Sequence, residues 1–174
     1  MKIAEQLKQN NISEYILFMW QTEDLIRACS CDINIIKQKV LKDNNDEAIE
    51  QWYSKQIRAL RLEGKTKLGH LNDVQETLLE LNYLHGSLIN LMQDEKYSEK
   101  FKIALPFIEE FKNKSDNKNI SEIELCLNAL YGKLILKLKG NPISSETEEA
   151  FSHFSNLLAH LSVKYKQMKS LGSL

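Results

Sequence analysis

Apolar residues along this chain recur at intervals of three and four, the spacing that lines one face of an α-helix. Caps and stops, with no strand-like alternation, punctuate the pattern. It predicts a short helix over residues 2–9 and a longer one over 12–30, capped by Asn10 or Asn11. Asp32 caps a short helix to about residue 42, and Asn45 or Asp46 opens another that stops near Gly64. Residues 65–69 form a loop and 70–93 a helix; 95–113 follows, with Pro106 ending or kinking it midway. Ser121 with Glu124, and Ser144 or Ser145 with Glu148, read as capping boxes of helices that end at Gly140 and near Lys169. The tail from about residue 170 should fray. The predicted fold class is all-α, a single-domain bundle of about six to seven helices over residues 1–174.

Helical wheels sharpen this picture. After Ile120, the residues Ile120, Ile123, Leu127, Leu130, Leu134 and Leu138 form one stripe, and Leu125, Ala129, Gly132 and Leu136 form a second. A helix apolar on two faces belongs at the centre of a bundle. The helix from Ile12 carries its stripe on Ile12, Tyr15, Ile16, Met19 and Ile26, and Glu23 falls within it, with Arg27 one turn on. A carboxylate at a core position must be paired, hydrogen-bonded or neutralised. His85 likewise intrudes into the stripe of Leu71, Val74, Leu78, Leu81, Leu88 and Met92. Glu23, Arg27 and His85 are therefore expected to face one another, with Tyr15, Tyr131 or Asn82 as further members. Read functionally, this is a shielded acid–base pair or a ligand anchor built on Glu23, Arg27, His85 and Tyr131. Read structurally, it is a buried polar network that fixes helix register, and this reading is favoured.

Composition adds limits. Glycine and proline number only 6 and 2, which suits long helices over many tight turns. A net charge of −1 provides no field to recruit nucleic acid or an acidic membrane. Residues 1–8 hold no apolar core of signal-peptide length, and the longest apolar run, Tyr15 to Trp20, is far short of the ~20 residues that span a bilayer. Cys29, Cys31 and Cys126 form no CxxC pair and are expected to be reduced, mostly buried thiols of a cytoplasmic protein.

Candidate chemistry beyond the Glu23 cluster is thin. Glu149, His153 and His160 project to one side of the last helix, but off its stripe of Phe151, Phe154, Leu157, Leu158, Leu161 and Tyr165. No Glu-x-x-His pair is present, so no metal and no cofactor is expected. Lys55, Arg58, Arg61, Lys65 and Lys67 make the clearest basic run, a weak candidate for phosphate backbone. It lacks the interleaved aromatics that stack bases, so a solvated helix face is the simpler reading and nucleic acid is disfavoured. Gly64 and Gly69 bracket a stretch without the Gly-Lys-Ser/Thr ending of a phosphate-binding loop.

Some motifs do carry a resemblance. Residues 12–28, ISEYILFMWQTEDLIRA, resemble the opening of a bacterial family of uncharacterised all-helical proteins, the domain of unknown function numbered forty-nine twenty-four. Glu63-Gly64 with Gly69-His70-Leu71, Leu105-Pro106-Phe107-Ile108 and Leu130-Tyr131-Gly132-Lys133-Leu134 are similar to later parts of the same pattern. The resemblance spans nearly the whole chain. It implies a small all-helical bacterial protein and no activity, so no role passes to the matching residues Glu23, Asp24, Arg27 and His70.

The leading functional expectation is a non-catalytic cytosolic protein acting through helix–helix contact with itself or a protein partner. The alternatives are a ligand binder or enzyme built on Glu23, Arg27 and His85, and weak phosphate contact through residues 55–67. Leu17 and Phe18 lie outside the narrow stripe of the second helix, which is apolar almost all round between residues 15 and 20. Part of that surface is expected to serve a two-fold homodimer. The competing cover is the N-terminal segment, folded back through Ile3 and Leu7.

Overall fold

A computed structural model describes residues 1–42 and 46–172 of the chain. Among these residues there are eight α-helices and no strand: α1 (Lys2–Asn10), α2 (Ile12–Ala28), α3 (Ile33–Ile36), α4 (Glu47–Leu62), α5 (Asn72–Asn90), α6 (Glu95–Lys114), α7 (Glu122–Leu138) and α8 (Ser145–Ser170). The count exceeds the six to seven expected. α6 is also a single continuous helix through Pro106, which does not end it. Pro106 and Lys102, whose carbonyl loses its helical donor, are both exposed, so water can satisfy that carbonyl.

The caps follow the sequence closely. Asp32 accepts from Asn34 N–H at 2.7 Å, and α3 then runs into a π-helical turn over Lys37–Leu41. Asp46 accepts from Ala48 and Ile49 N–H; the alternative cap Asn45 lies outside the described residues. Ser121 accepts from Glu124 N–H at 3.2 Å and Ser144 from Thr147 N–H at 3.3 Å. Glu148 does not complete the second box, because its carboxylate pairs with Lys133 Nζ at 2.5 Å. α8 persists to Ser170 and turns off at Gly172, whose φ is +69°; residues 173–174 of the expected frayed tail lie outside the described residues.

The chain divides into two compact units, Met1–Gln9 with Glu14–Thr77, and Asn10–Ser13 with Leu78–Leu174. In the first, α2 buries Tyr15, Ile16, Met19, Trp20 and Ile26, and α4 buries Tyr53, Ile57 and Leu60. α3 packs on α4. Phe18 is half-buried with its ring 6.1 Å from Trp52 of α4, so the extra apolar surface of α2 meets α4. Of the competing cover through Ile3 and Leu7, Leu7 is half-buried and Lys8 lies over the Tyr15 ring, while Ile3 stays exposed and α1 fully buries only Ala4.

In the second unit α6 and α7 both pack on α8, whose buried face is Phe151, Phe154, Leu157, Leu158, Leu161 and Tyr165. Ser13 joins this unit by accepting from Ser162 Oγ at 2.8 Å and donating its N–H to the same oxygen at 3.2 Å. The central position expected of α7 holds for only half its length. Ile123, Leu125, Cys126 and Leu127 are buried, whereas residues 129–136 are all half-exposed and Leu138 is 76% exposed.

Asp94 caps α6 by accepting from Tyr97 N–H at 2.9 Å and pairs with Lys164 of α8 at 2.5 Å. The Lys164 contact, then the Tyr97 N–H, hold its carboxyl below the usual range. Asp94→Ala is expected to cost about 1–2 kcal/mol, and Asp94→Asn less, because the amide oxygen keeps the cap. Urea unfolding of both variants checks this; equal losses would assign the whole effect to the pair with Lys164.

Candidate functional site

The buried ionic group is Glu23, on the inward face of α2 and fully inaccessible. Its two oxygens serve one segment. Oε1 accepts the Leu71 N–H at 3.0 Å, and Oε2 accepts from His70 Nδ1 at 2.7 Å. Arg27, one turn further along α2, lies 3.7 Å from Oε2. It donates Nε–H to the Lys65 carbonyl at 3.2 Å and Nη2–H to the Gly69 carbonyl. One turn of α2 thus presents an acceptor to the N–H groups of the 65–71 loop and a donor to its carbonyls.

The loop's backbone is shaped to meet that grip. Gly64 and Gly69 have φ of +68° and +86°, conformations that a side chain disfavours. Gly64 ends α4, where Lys65 N–H bonds back to the Leu60 carbonyl at 2.8 Å. Gly69 sets His70 and Leu71 against Glu23. The imidazole of His70 also stacks on buried Trp20, with centroids 4.6 Å apart and an interplanar angle of 23°. Glu63 captures Asn72 N–H at 2.8 Å, so two carboxylates receive N–H groups at the start of α5, where they complement its dipole.

Of the two expected partners of Glu23, Arg27 is in place, and His85 is where the structure differs. His85 belongs to the second unit, where its Nδ1 lies 2.7 Å from the Tyr97 hydroxyl and its ring meets Phe101 edge-on at 4.8 Å. Burial pushes the Tyr97 phenol well above its ordinary range and His85 below its own, a pull that Glu122 only partly offsets. Both groups are therefore neutral near pH 7, and they share one hydrogen bond between Nδ1 and the phenol oxygen. Tyr131 lies half-buried on α7 of the same unit. Glu23 and Arg27 are thus brought together, while His85 and Tyr131 are not part of their cluster. His70 is the member the wheel missed. It sits one residue before Leu71, outside the helical stripe, and only the Gly69-His70-Leu71 motif signalled it.

The basic run disperses. Arg61 donates to the Cys31 carbonyl at 2.9 Å, and Lys65 pairs with Glu63 at 3.2 Å and with Asn72 Oδ1 at 2.5 Å. Lys55 and Arg58 line a shallow cleft beside Glu47 and Glu50, which oppose their charge, and Lys67 is exposed in the loop. A second cleft of about 430 Å³ lies in the first unit, lined by residues including Ala4, Lys8, Tyr15, Trp52, Leu71 and Asp73. Tyr15 donates to Asp73 at 3.1 Å, and Lys8 closes on the same carboxylate at 3.1 Å. Glu23 and His70 do not line this cleft. His153 stacks on Phe107 at 4.9 Å, with Nε2 3.9 Å from Glu149, and His160 approaches Tyr97. The three cysteines are free and buried.

Fold and cluster together define a class: an all-helical protein in which a fully buried carboxylate clamps a loop. The family model described as Domain of unknown function (DUF4924) matches residues 1–172, and the chain belongs to that family. No curated protein and no solved structure matches it. No helix among the described residues is long and apolar enough to cross a membrane.

Glu23→Ala should cost about 3 kcal/mol, because it strands the Leu71 N–H, His70 and Arg27 together. Glu23→Gln should cost less, since an amide still accepts from Leu71. Chemical denaturation of both measures this; a loss under about 0.5 kcal/mol for the alanine variant would show that the loop holds without the clamp.

His85 yields a pH dependence of defined sign. Its folded-state pKa lies below the unfolded value of 6.5, chiefly through burial. The unfolded chain therefore binds the proton first, and stability is full above about pH 6.5 and declines as the pH falls below it. His160, also pushed down by burial and by Lys164, acts in the same direction. The melting temperature should drop between pH 7 and 5.5, and His85→Gln should flatten that drop. A profile unchanged by the substitution would exonerate His85.

Proposed function

We propose that this protein is a non-catalytic, cytoplasmic helical protein that works by helix–helix contact through the outer half of α7, its chain acting as one domain. The observation that carries the reading is the half-exposed apolar sequence Leu130, Tyr131, Gly132, Leu134, Ile135, Leu136, ending in exposed Leu138. Apolar residues left partly in water along one helix end can mark sites of protein contact. The three buried thiols support a reducing compartment. A ligand-binding role for the Glu23 cluster has less support, because both carboxylate oxygens already bind the protein's own loop. A phosphate-binding role for residues 55–67 is weakened by the intrachain partners of Arg61 and Lys65.

Ile135→Asp separates a contact surface from a core. On an open surface it should cost less than about 1 kcal/mol of folding stability while dissolving any complex that contains the chain. The measurement pairs thermal unfolding of the purified variant with native mass analysis of cell extract. A loss above about 2 kcal/mol would place Ile135 in a core and remove the reading.

A further inference from the structure

α7 carries more than an apolar end. One strip along it stays accessible over its whole length: Ser121, Glu124, Asn128, Gly132, Ile135 and Lys139, spaced by three and four, with Tyr131 beside Gly132. On a helical wheel these residues fall within one sector, and the buried Ile123, Leu125, Cys126 and Leu127 lie outside it. A methyl group built on Gly132 would meet nothing within 4 Å, so the strip has a gap at its middle. It is also polar in the electrical sense, since it begins on Glu124 and ends on Lys139.

We infer that this strip pairs antiparallel with the same strip of a second copy of the chain, in the register that sets Glu124 of one copy opposite Lys139 of the other. The inference rests on the contact role proposed for α7 and names its partner. Three features of the strip converge on that register. Antiparallel packing brings each acidic end onto a basic end twice over, whereas parallel packing would set like charges together. The same register puts Tyr131 of each copy over Gly132 of the other, an aromatic ring over the one position without a side chain. A slip of one helical turn in either direction moves Glu124 off Lys139. In the proposed register Asn128 faces Ile135, a poor apolar match that limits the strength of the pair. One helix pair buries an area at the low end of specific interfaces, so association is weak, with a dissociation constant in the micromolar range or above.

Sedimentation analysis of the full chain, from low micromolar to near-millimolar concentration, tests this. The wild-type mass should rise with concentration from 20.2 kDa toward twice that value. Glu124→Lys and Lys139→Glu, each alone, should weaken association roughly tenfold, because each sets like charges together at both ends of the pair. The two changes in one chain should restore it to within about threefold of wild type. Gly132→Leu provides a check that does not depend on charge. It should raise the melting temperature of the monomer, as a helical glycine replaced in open space does, while weakening the dimer by filling the gap under Tyr131. A chain that associates but shows no recovery in the double reversal would overturn the antiparallel register and leave the contact role of α7 standing. A wild type that stays at 20.2 kDa throughout would overturn the self-pairing. The contact role itself is tested separately, by the stability loss of Ile135→Asp.

Discussion

A carboxylate with no exposure has to be answered by donors, and the donors chosen for Glu23 organise the first unit. They are the backbone N–H of Leu71 and the ring of His70, at the start of α5. With Arg27 holding the Lys65 and Gly69 carbonyls, one turn of α2 fixes both polarities of the loop's backbone. The position at which α5 begins therefore depends on a side chain about fifty residues earlier, a separation at which loop-closure entropy is substantial. The stack of His70 on Trp20 adds a wall that keeps water from the carboxylate.

The same satisfaction argues against chemistry at the cluster. A carboxylate that works on a substrate needs a lone pair available, and a histidine that relays protons needs room on its far side. Both oxygens of Glu23 accept bonds from their own chain, and the neighbouring cleft opens toward Lys8, Tyr15 and Asp73. His85 is likewise used internally, hydrogen-bonded through Nδ1 to the Tyr97 phenol. Two polar intrusions in two apolar stripes thus resolve into two separate structural networks, one in each unit.

Much of this was legible in the sequence, and the misses share a physical cause. Helix positions, the caps at Asp32, Asp46, Ser121 and Ser144, and the buried placement of Glu23 all follow from local spacing. A wheel tells which face of a helix a residue occupies but not which neighbour meets it, so Glu23 was matched to His85 because both stood in stripes. Its further partner His70 sits in a loop, where periodicity carries no signal and only the Gly69-His70-Leu71 motif and the bracketing glycines mark it. Pro106 does not end α6 for a related reason: its cost depends on whether the freed carbonyl reaches water, which is settled by exposure and not by sequence. Glu148 was read as a capping partner, and Lys133, fifteen residues earlier, claimed it instead.

α7 shows how one sequence pattern can serve two ends. Its first half is buried by Ile123, Leu125, Cys126 and Leu127, and there the two-stripe pattern belongs to the core of the second unit. The pattern continues past the point where neighbours cover it, so Ile135, Leu136 and Leu138 are left partly in water. Apolar residues in that position invite indiscriminate association unless something restrains it. Lys137 and Lys139 interrupt the run and are both exposed. They are charges at a helix C-terminus, where the dipole favours cations, so they steady the helix end as well as guarding it. Glu122 and Glu124 hold the matching place at the N-terminus. Dipole complementarity alone thus gives α7 an acidic start and a basic end, and any second helix of the same kind meets it most favourably head to tail. The charge pattern that keeps the exposed strip selective is the one that stabilises the helix in the first place.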